Sequence, residues 1–114
     1  YTRSNFGPIR WTAPEAMRQR KFSERSDAFS FGVVLYEMFA QAEPWAGYDL
    51  IDVVVRVCEG ERMNVPETVP STISLLMERL WSQKPGDRPD MTEIIHTLSS
   101  LTTPSDSGEE SESR

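Results

Sequence analysis

The chain has 114 residues, 38% of them hydrophobic and 10% aromatic, which is the make-up of one modest globular domain with a core. Its formal charge of −6 is uneven: residues 1–25 hold six bases against Glu15 and Glu24, and residues 102–114 hold four acids against Arg114. The single cysteine, Cys58, excludes an intrachain disulfide framework and a cysteine-rich zinc site and points to a reducing, cytoplasmic setting, while no apolar run reaches membrane-spanning length and the first residues lack the charged and apolar regions expected of a signal peptide.

Residues 1–13, YTRSNFGPIRWTA, carry Gly, Pro, Asn and Ser without a period and read as an extended loop, with Pro8 pushing Gly7 out of helical geometry. The bases here are scattered and have no interleaved aromatic platform, so a solvated or phosphate-pairing surface is expected and no nucleic-acid partner. Pro14 suits the first turn of a short helix over about Pro14 to Met17, because its missing donor costs nothing there. RQRKFSERS follows as a polar connection anchored by Phe22.

Ser26 to Gln41, SDAFSFGVVLYEMFAQ, is predicted to be the central helix. Ser26 caps its first turn, and Asp27 sits well against the positive end of its dipole. From Ala28 to Ala40 the only strongly polar residues are Ser30 and Glu37, so the helix lacks a wide solvated stripe and is expected to be buried. About fifteen residues at ~1.5 Å each span roughly 22 Å, too short for a bilayer. Small domains bury a limited share of their surface, so part of this helix's packing shell is expected to lie outside these residues.

AEPWAGYD, punctuated by Pro44 and Gly47, reads as a loop with Trp45 tucked inward. A helix is predicted from Asp49 or Leu50, with Ile51, Val54, Val55 and Cys58 on its apolar face and Gly60 as its stop, although Val53 to Val55 also suit a strand. ERMNVPETVP is a connector. Ser71 to Trp81 forms a helix with Ile73, Leu76, Met77 and Leu80 on one face, and SQKPGDRP breaks it. Asp90 and Glu93 have the form of a capping box opening a last helix with Met91, Ile94, Ile95, Leu98 and Leu101 on one face. From Thr102 no large apolar residue remains, so the tail is expected to be disordered. It is either a phosphorylation target or a solubilising terminus. Cys58 reads as a small buried thiol and His96 as solvated, neither with metal-ligand company.

At WTAPEA (Trp11 to Ala16), SDAFSFGVVLYE (Ser26 to Glu37) and KPGDRPDM (Lys84 to Met91), in that order, the chain resembles the C-terminal lobe of protein kinases over roughly residues 1–101. The resemblance implies a mainly α fold, with the N-terminal lobe and catalytic loop absent from this chain. It divides the chain into the end of the activation segment with the substrate-positioning loop and short APE helix (1–25), the C-lobe helices (26–101) and an acidic tail (102–114).

The same resemblance implies a bidentate ion pair between Glu15 and Arg88, for which Lys would substitute poorly; the plainer alternative is two exposed charges on separate loops. It assigns Asp27 to the start of the central helix, where the family's aspartate meets the catalytic-loop backbone. Phe29 stands where the family usually has Trp. Pro8, Ile9, Arg10 and Trp11 resemble the loop beside the phosphoacceptor, with Pro8 favouring the tyrosine or tyrosine-kinase-like groups without deciding between tyrosine and serine/threonine acceptors. Tyr1, Thr2 and Ser4 fall where activation-loop phosphosites occur, with Arg3 and Arg10 near enough to meet a phosphate.

Phosphoryl transfer needs a glycine-rich phosphate cover, a nucleotide-binding lysine, Mg²⁺ held by an aspartate and an asparagine, and a base for the acceptor hydroxyl. No GxGxxG, VAIK-like lysine, HRD with its asparagine, or DFG occurs in these residues. No catalytic residue, metal or cofactor is therefore expected on this chain, with ATP and Mg²⁺ belonging to the complete kinase domain. The resemblance implies a fragment of a kinase that phosphorylates protein hydroxyls, needing an upstream segment to complete its fold and inactive alone. The alternative is a truncated, noncatalytic module for protein–protein interaction; a pseudokinase with broken upstream motifs is a third reading.

Overall fold

In the computed structural model, which describes residues 9–102, five helices follow in chain order: α1 (Pro14–Gln19), α2 (Glu24–Ala40), α3 (Leu50–Cys58), α4 (Ser71–Leu80) and α5 (Met91–Thr102). Two 3-10 turns, Ile9–Trp11 and Pro85–Asp87, are the other regular elements among the described residues, and no strand occurs among them. Tyr1, Thr2, Ser4, Pro8 and the acidic tail lie outside the described residues. Among the described residues no helix is long and apolar enough to cross a membrane.

The central helix begins two residues before Ser26. Ser23 is its N-cap, its Oγ accepting from the backbone N–H groups of Arg25 and Ser26, while Ser26 Oγ accepts from the Ser23 N–H at 2.7 Å. Ser26 is thus the third helical residue of a reciprocal cap, and Asp27 contributes only an acid in the first helical turns. Phe22, just ahead of the cap, does not anchor the connection. It is 71% exposed, because the cap turns the chain into α2 before its ring can reach the core.

α2 packs chiefly on α4, burying Ala28, Phe29, Gly32, Val33 and Leu35. Gly32 allows that approach: a Cβ there would stand 2.7 Å from Trp81 Nε1 and 3.0 Å from Leu80 Cβ. The buried Trp81 Nε1 has no hydrogen-bond partner among the described residues. α4 supplies Ile73, Leu76, Met77 and Leu80 to the core, the face its periodicity predicts.

The expectation of full burial fails for α2: Val34 and Phe39 are exposed and Met38 is 62% exposed, so the helix is covered on one side only. In α3 the buried residues are Val53 and Val57, four apart, whereas Ile51 and Val55 of the expected face are open. Five valines and isoleucines in nine residues make several stripes look alike, and the contact with α1 selects one of them. In α5 only Ile94 is fully buried, Leu98 packs against the core, and Met91, Ile95 and Leu101 are exposed. Cys58 is half-buried rather than buried, and His96 is exposed. Trp45 is buried as expected, with a positive φ of 54°.

Candidate functional site

Residues 9–16 form a turn and a short helix laid over α2 and α3. Proline at the first position of α1 presets its dihedral, and Arg20 closes the helix in the left-handed region, donating its N–H to the carbonyls of Glu15 and Ala16. The Ile9–Trp11 turn is closed by the Thr12 N–H donating to the Ile9 carbonyl at 3.0 Å.

Three side chains fasten this turn. Arg10 donates to the carbonyls of Trp45 at 2.7 Å and Tyr48 at 2.8 Å. Its guanidinium is thereby engaged by the 41–49 loop, while Arg3 and the expected phosphosites lie outside the described residues. Trp11 Nε1 donates to Glu37 Oε1 at 2.8 Å, and Ser30 Oγ donates to the Trp11 carbonyl at 2.7 Å. Ile9 packs against the core.

Glu15 and Arg88, 73 residues apart, meet in a bidentate pair: Nη1 to Oε2 and Nη2 to Oε1, each at 2.8 Å. Arg88 is 2% exposed. It satisfies its remaining donors on the carbonyls of Ser82 at 2.9 Å and Arg25 at 2.8 Å, while Arg25 returns a hydrogen bond to the Arg88 carbonyl. Burial alone would raise the Glu15 pKa. The hydrogen bonds and charge of Arg88 outweigh that effect and hold the carboxyl below its ordinary 4.5.

Arg62, which sequence reasoning passed over, reinforces this arrangement. It donates to the carbonyls of Trp81, Val57 and Glu61 and to Gln83 Oε1, tying the end of α3 to the end of α4. Burial, with repulsion from Arg88, lowers its pKa to about 10. The guanidinium carbons of Arg62 and Arg88 each lie 5.1 Å from the centroid of the buried Phe29 ring. Aromatic character at position 29 thus serves two cations as well as the core. The signal was available in sequence only as an arginine inside a connector, which gives no hint of burial.

Asp27 is exposed on the first helical turns of α2 and joins none of these contacts. Among the described residues no group of three or more His, Cys, Asp and Glu side chains is placed to hold a metal ion.

The arrangement is a helical lobe carrying a fastened N-terminal segment. The family model described as protein tyrosine and serine/threonine kinase aligns with residues 1–98. The chain belongs to that family, and its helices are part of the C-terminal lobe of a kinase domain. Similar proteins include human ephrin type-A receptor 6, 40% identical over 95 residues, or 82% of this chain and 9% of that protein. The rat megakaryocyte-associated tyrosine-protein kinase is 38% identical over 92 residues, covering 80% of this chain and 20% of the kinase. A protein of Acanthamoeba polyphaga mimivirus named as a serine/threonine-protein kinase/receptor is 37% identical over 94 residues, 82% of this chain and 6% of the viral protein. The chain therefore spans between 6 and 20% of the length of these relatives.

Proposed function

We propose that the chain is the substrate-positioning and scaffold part of an ATP-dependent protein kinase that phosphorylates protein hydroxyls in the cytoplasm, and that alone it neither binds ATP nor transfers phosphate. The reading is carried by the fastening of Ile9 to Glu15. One end is held by Arg10 on the 41–49 loop and the other by the buried Arg88. A segment fixed at both ends on a helical base is what presenting a peptide in one position requires.

The phosphate cover, the nucleotide lysine, the metal-holding aspartate and asparagine and the catalytic base are not among these 114 residues. In this reading they belong to upstream residues of the parent protein, which also bind ATP and Mg²⁺, and the exposed Asp27 carboxylate meets the catalytic-loop backbone there. The open apolar residues Val34, Met38, Ile51 and Val55 favour a second reading, a noncatalytic module whose bare helix faces dock on a partner.

Titration calorimetry of the isolated chain with Mg-ATP is expected to give no binding heat, and heat from a saturable site would refute the proposal. Reading the codons just upstream of Tyr1 separates the two functions: HRD, its asparagine and DFG are expected there, and a stop codon would favour the docking module.

A further inference from the structure

Three tyrosines occur in the chain. Tyr1 lies outside the described residues, and Tyr36 is half-buried in the middle of α2, its ring centroid 6.2 Å from that of Trp81. Tyr48 is 37% exposed and stands in an unbroken run of exposed residues from Ala46 to Asp52, where the 41–49 loop passes into the first turn of α3. The run is open: apart from its chain neighbours, nothing lies within 4 Å of the Cβ position at Gly47. Trp45 meets the Tyr48 ring edge-on at 5.5 Å, and the guanidinium carbon of Arg56 lies 4.7 Å from the ring centroid. The ring is thereby oriented, while its hydroxyl has no hydrogen-bond partner among the described residues.

We propose that Tyr48 is a phosphorylation site and that the added phosphate is bound by Arg56, which gives up Glu61 to reach it. A tyrosine-accepting protein kinase makes the transfer: the phenolic oxygen attacks the γ-phosphorus of ATP, the bond to the bridging oxygen breaks with ADP leaving, and the phenolic proton passes to that kinase's base. An enzyme that reads a peptide must reach the residues on both sides of the acceptor, and Ala46 to Asp52 offers them together on the surface. Arg56 already responds to charge on this side chain. Its pKa lies above the ordinary value, first through the hydrogen bond to Glu61 and then through the charges of Glu61, Tyr48 and Asp52. The Arg56–Glu61 pair is a surface pair, with side chains 39% and 50% exposed, and such pairs contribute little. A phosphate brings a charge of about −1.5 to −2 and three acceptor oxygens, so it competes well against one carboxylate. Asp49, which caps α3 by accepting the Asp52 N–H, and Asp52 itself repel the phosphate. Arg10 at the Tyr48 carbonyl and the positive end of α3 largely offset them, which leaves Arg56 as the deciding group.

The test incubates the kinase domain, completed by its upstream residues, with Mg-ATP and each of a panel of tyrosine kinases, beside a peptide of residues 43–53, and maps phosphate by mass spectrometry. The added kinase supplies the transfer, so the outcome does not depend on whether the domain is itself active. Tyr48 is expected to be modified in the folded domain by a kinase that modifies the peptide, and Tyr36 is expected to stay unmodified. Modification of the peptide alone, or of neither, overturns the proposal. Phosphorus NMR then reads the capture. The phosphate on Tyr48 is expected to titrate about half a pH unit lower in the domain than in the peptide, the size of one exposed ion pair. The peptide carries Glu43, Asp49 and Asp52, so their repulsion is common to both samples. Arg56→Met is expected to abolish the lowering without slowing the modification, and Glu61→Gln to enlarge it. A phosphate that titrates as in the peptide, or a lowering that survives Arg56→Met, overturns the capture by Arg56.

Discussion

Arg88 and Glu15 close a long loop: two parallel hydrogen bonds of 2.8 Å join residues 73 positions apart, and the arginine is almost wholly removed from water. Two features set the energetics. The planar fork satisfies both carboxylate oxygens, and the other guanidinium donors end on the carbonyls of Ser82 and Arg25. Glu15→Ala leaves a buried, uncompensated cation and is expected to cost ~3–5 kcal/mol in urea unfolding. Arg88→Lys keeps the charge but cannot serve four acceptors in three directions, and is expected to lose a large part of the same amount. A loss below about 1 kcal/mol for both would show that the pair contributes little.

The same pair predicts a pH dependence. Glu15 titrates below its ordinary value of 4.5 in the folded chain, so its contribution is fully present above that value and is lost as pH falls through the depressed folded value. The urea midpoint of the wild-type chain is therefore expected to exceed that of Glu15→Gln by a constant margin at neutral pH. The margin should narrow progressively on acidification below about pH 4.5. A margin that widens in acid would reverse the sign and exclude the ion pair as its cause.

Gly32 supplies a third prediction. In an open helix Gly→Ala is stabilising by nearly 1 kcal/mol, because alanine loses less backbone freedom on folding. Here the added Cβ would meet Trp81 Nε1 at 2.7 Å and Leu80 Cβ at 3.0 Å, both buried atoms of side chains packed on α2. The clash should outweigh the propensity gain, and Gly32→Ala is expected to destabilise by about 1–3 kcal/mol, with a change in Trp fluorescence as the indole is displaced. Unchanged or increased stability would mean that α4 shifts freely.

The helices and their order were legible because strong local signals coincide: Pro14 at a helix start, Asp90 accepting from the Glu93 N–H as a cap, and the four-residue core stripe of α4. What was not legible depends on tertiary contact. The α3 face is ambiguous in a valine-rich run until α1 packs on it, and the Asp90–Glu93 box is only half made because Glu93 turns to Arg79 instead. Ser23 was missed as the cap because Ser26 satisfies the same rule three residues later, and in the structure the two cap each other. In the site, Glu15, Arg88 and the 9–11 turn were reachable through motif resemblance. Arg62 was not, since its burial is created by the ends of α3 and α4. Ser30 and Glu37 stood out as polar interruptions of an apolar helix, but their common partner, Trp11, is visible only in three dimensions.

Two phenylalanines seven residues apart make the sharpest comparison. Phe22 looks like an anchor in sequence, being the only large apolar residue in a polar connection, yet it is 71% exposed. Phe29 is 3% exposed, packs in the core beneath α2 and receives two guanidinium groups on its ring. Phe22→Ala is therefore expected to change stability by less than about 0.5 kcal/mol, as for other surface positions. Phe29→Ala should cost ~3–5 kcal/mol, since it removes a buried ring and leaves a cavity. Phe29→Leu separates the two contributions. It keeps most of the apolar volume but has no π face, so beyond a modest packing loss it should cost about 0.5–2 kcal/mol for the cation–π contacts. Combined with Arg62→Met, that extra loss should shrink, because one of the two cations is already gone. If Phe29→Leu and Arg62→Met were strictly additive, the ring would be acting as filler alone; if Phe22→Ala matched Phe29→Ala, the connection ahead of α2 would have to be packed rather than open.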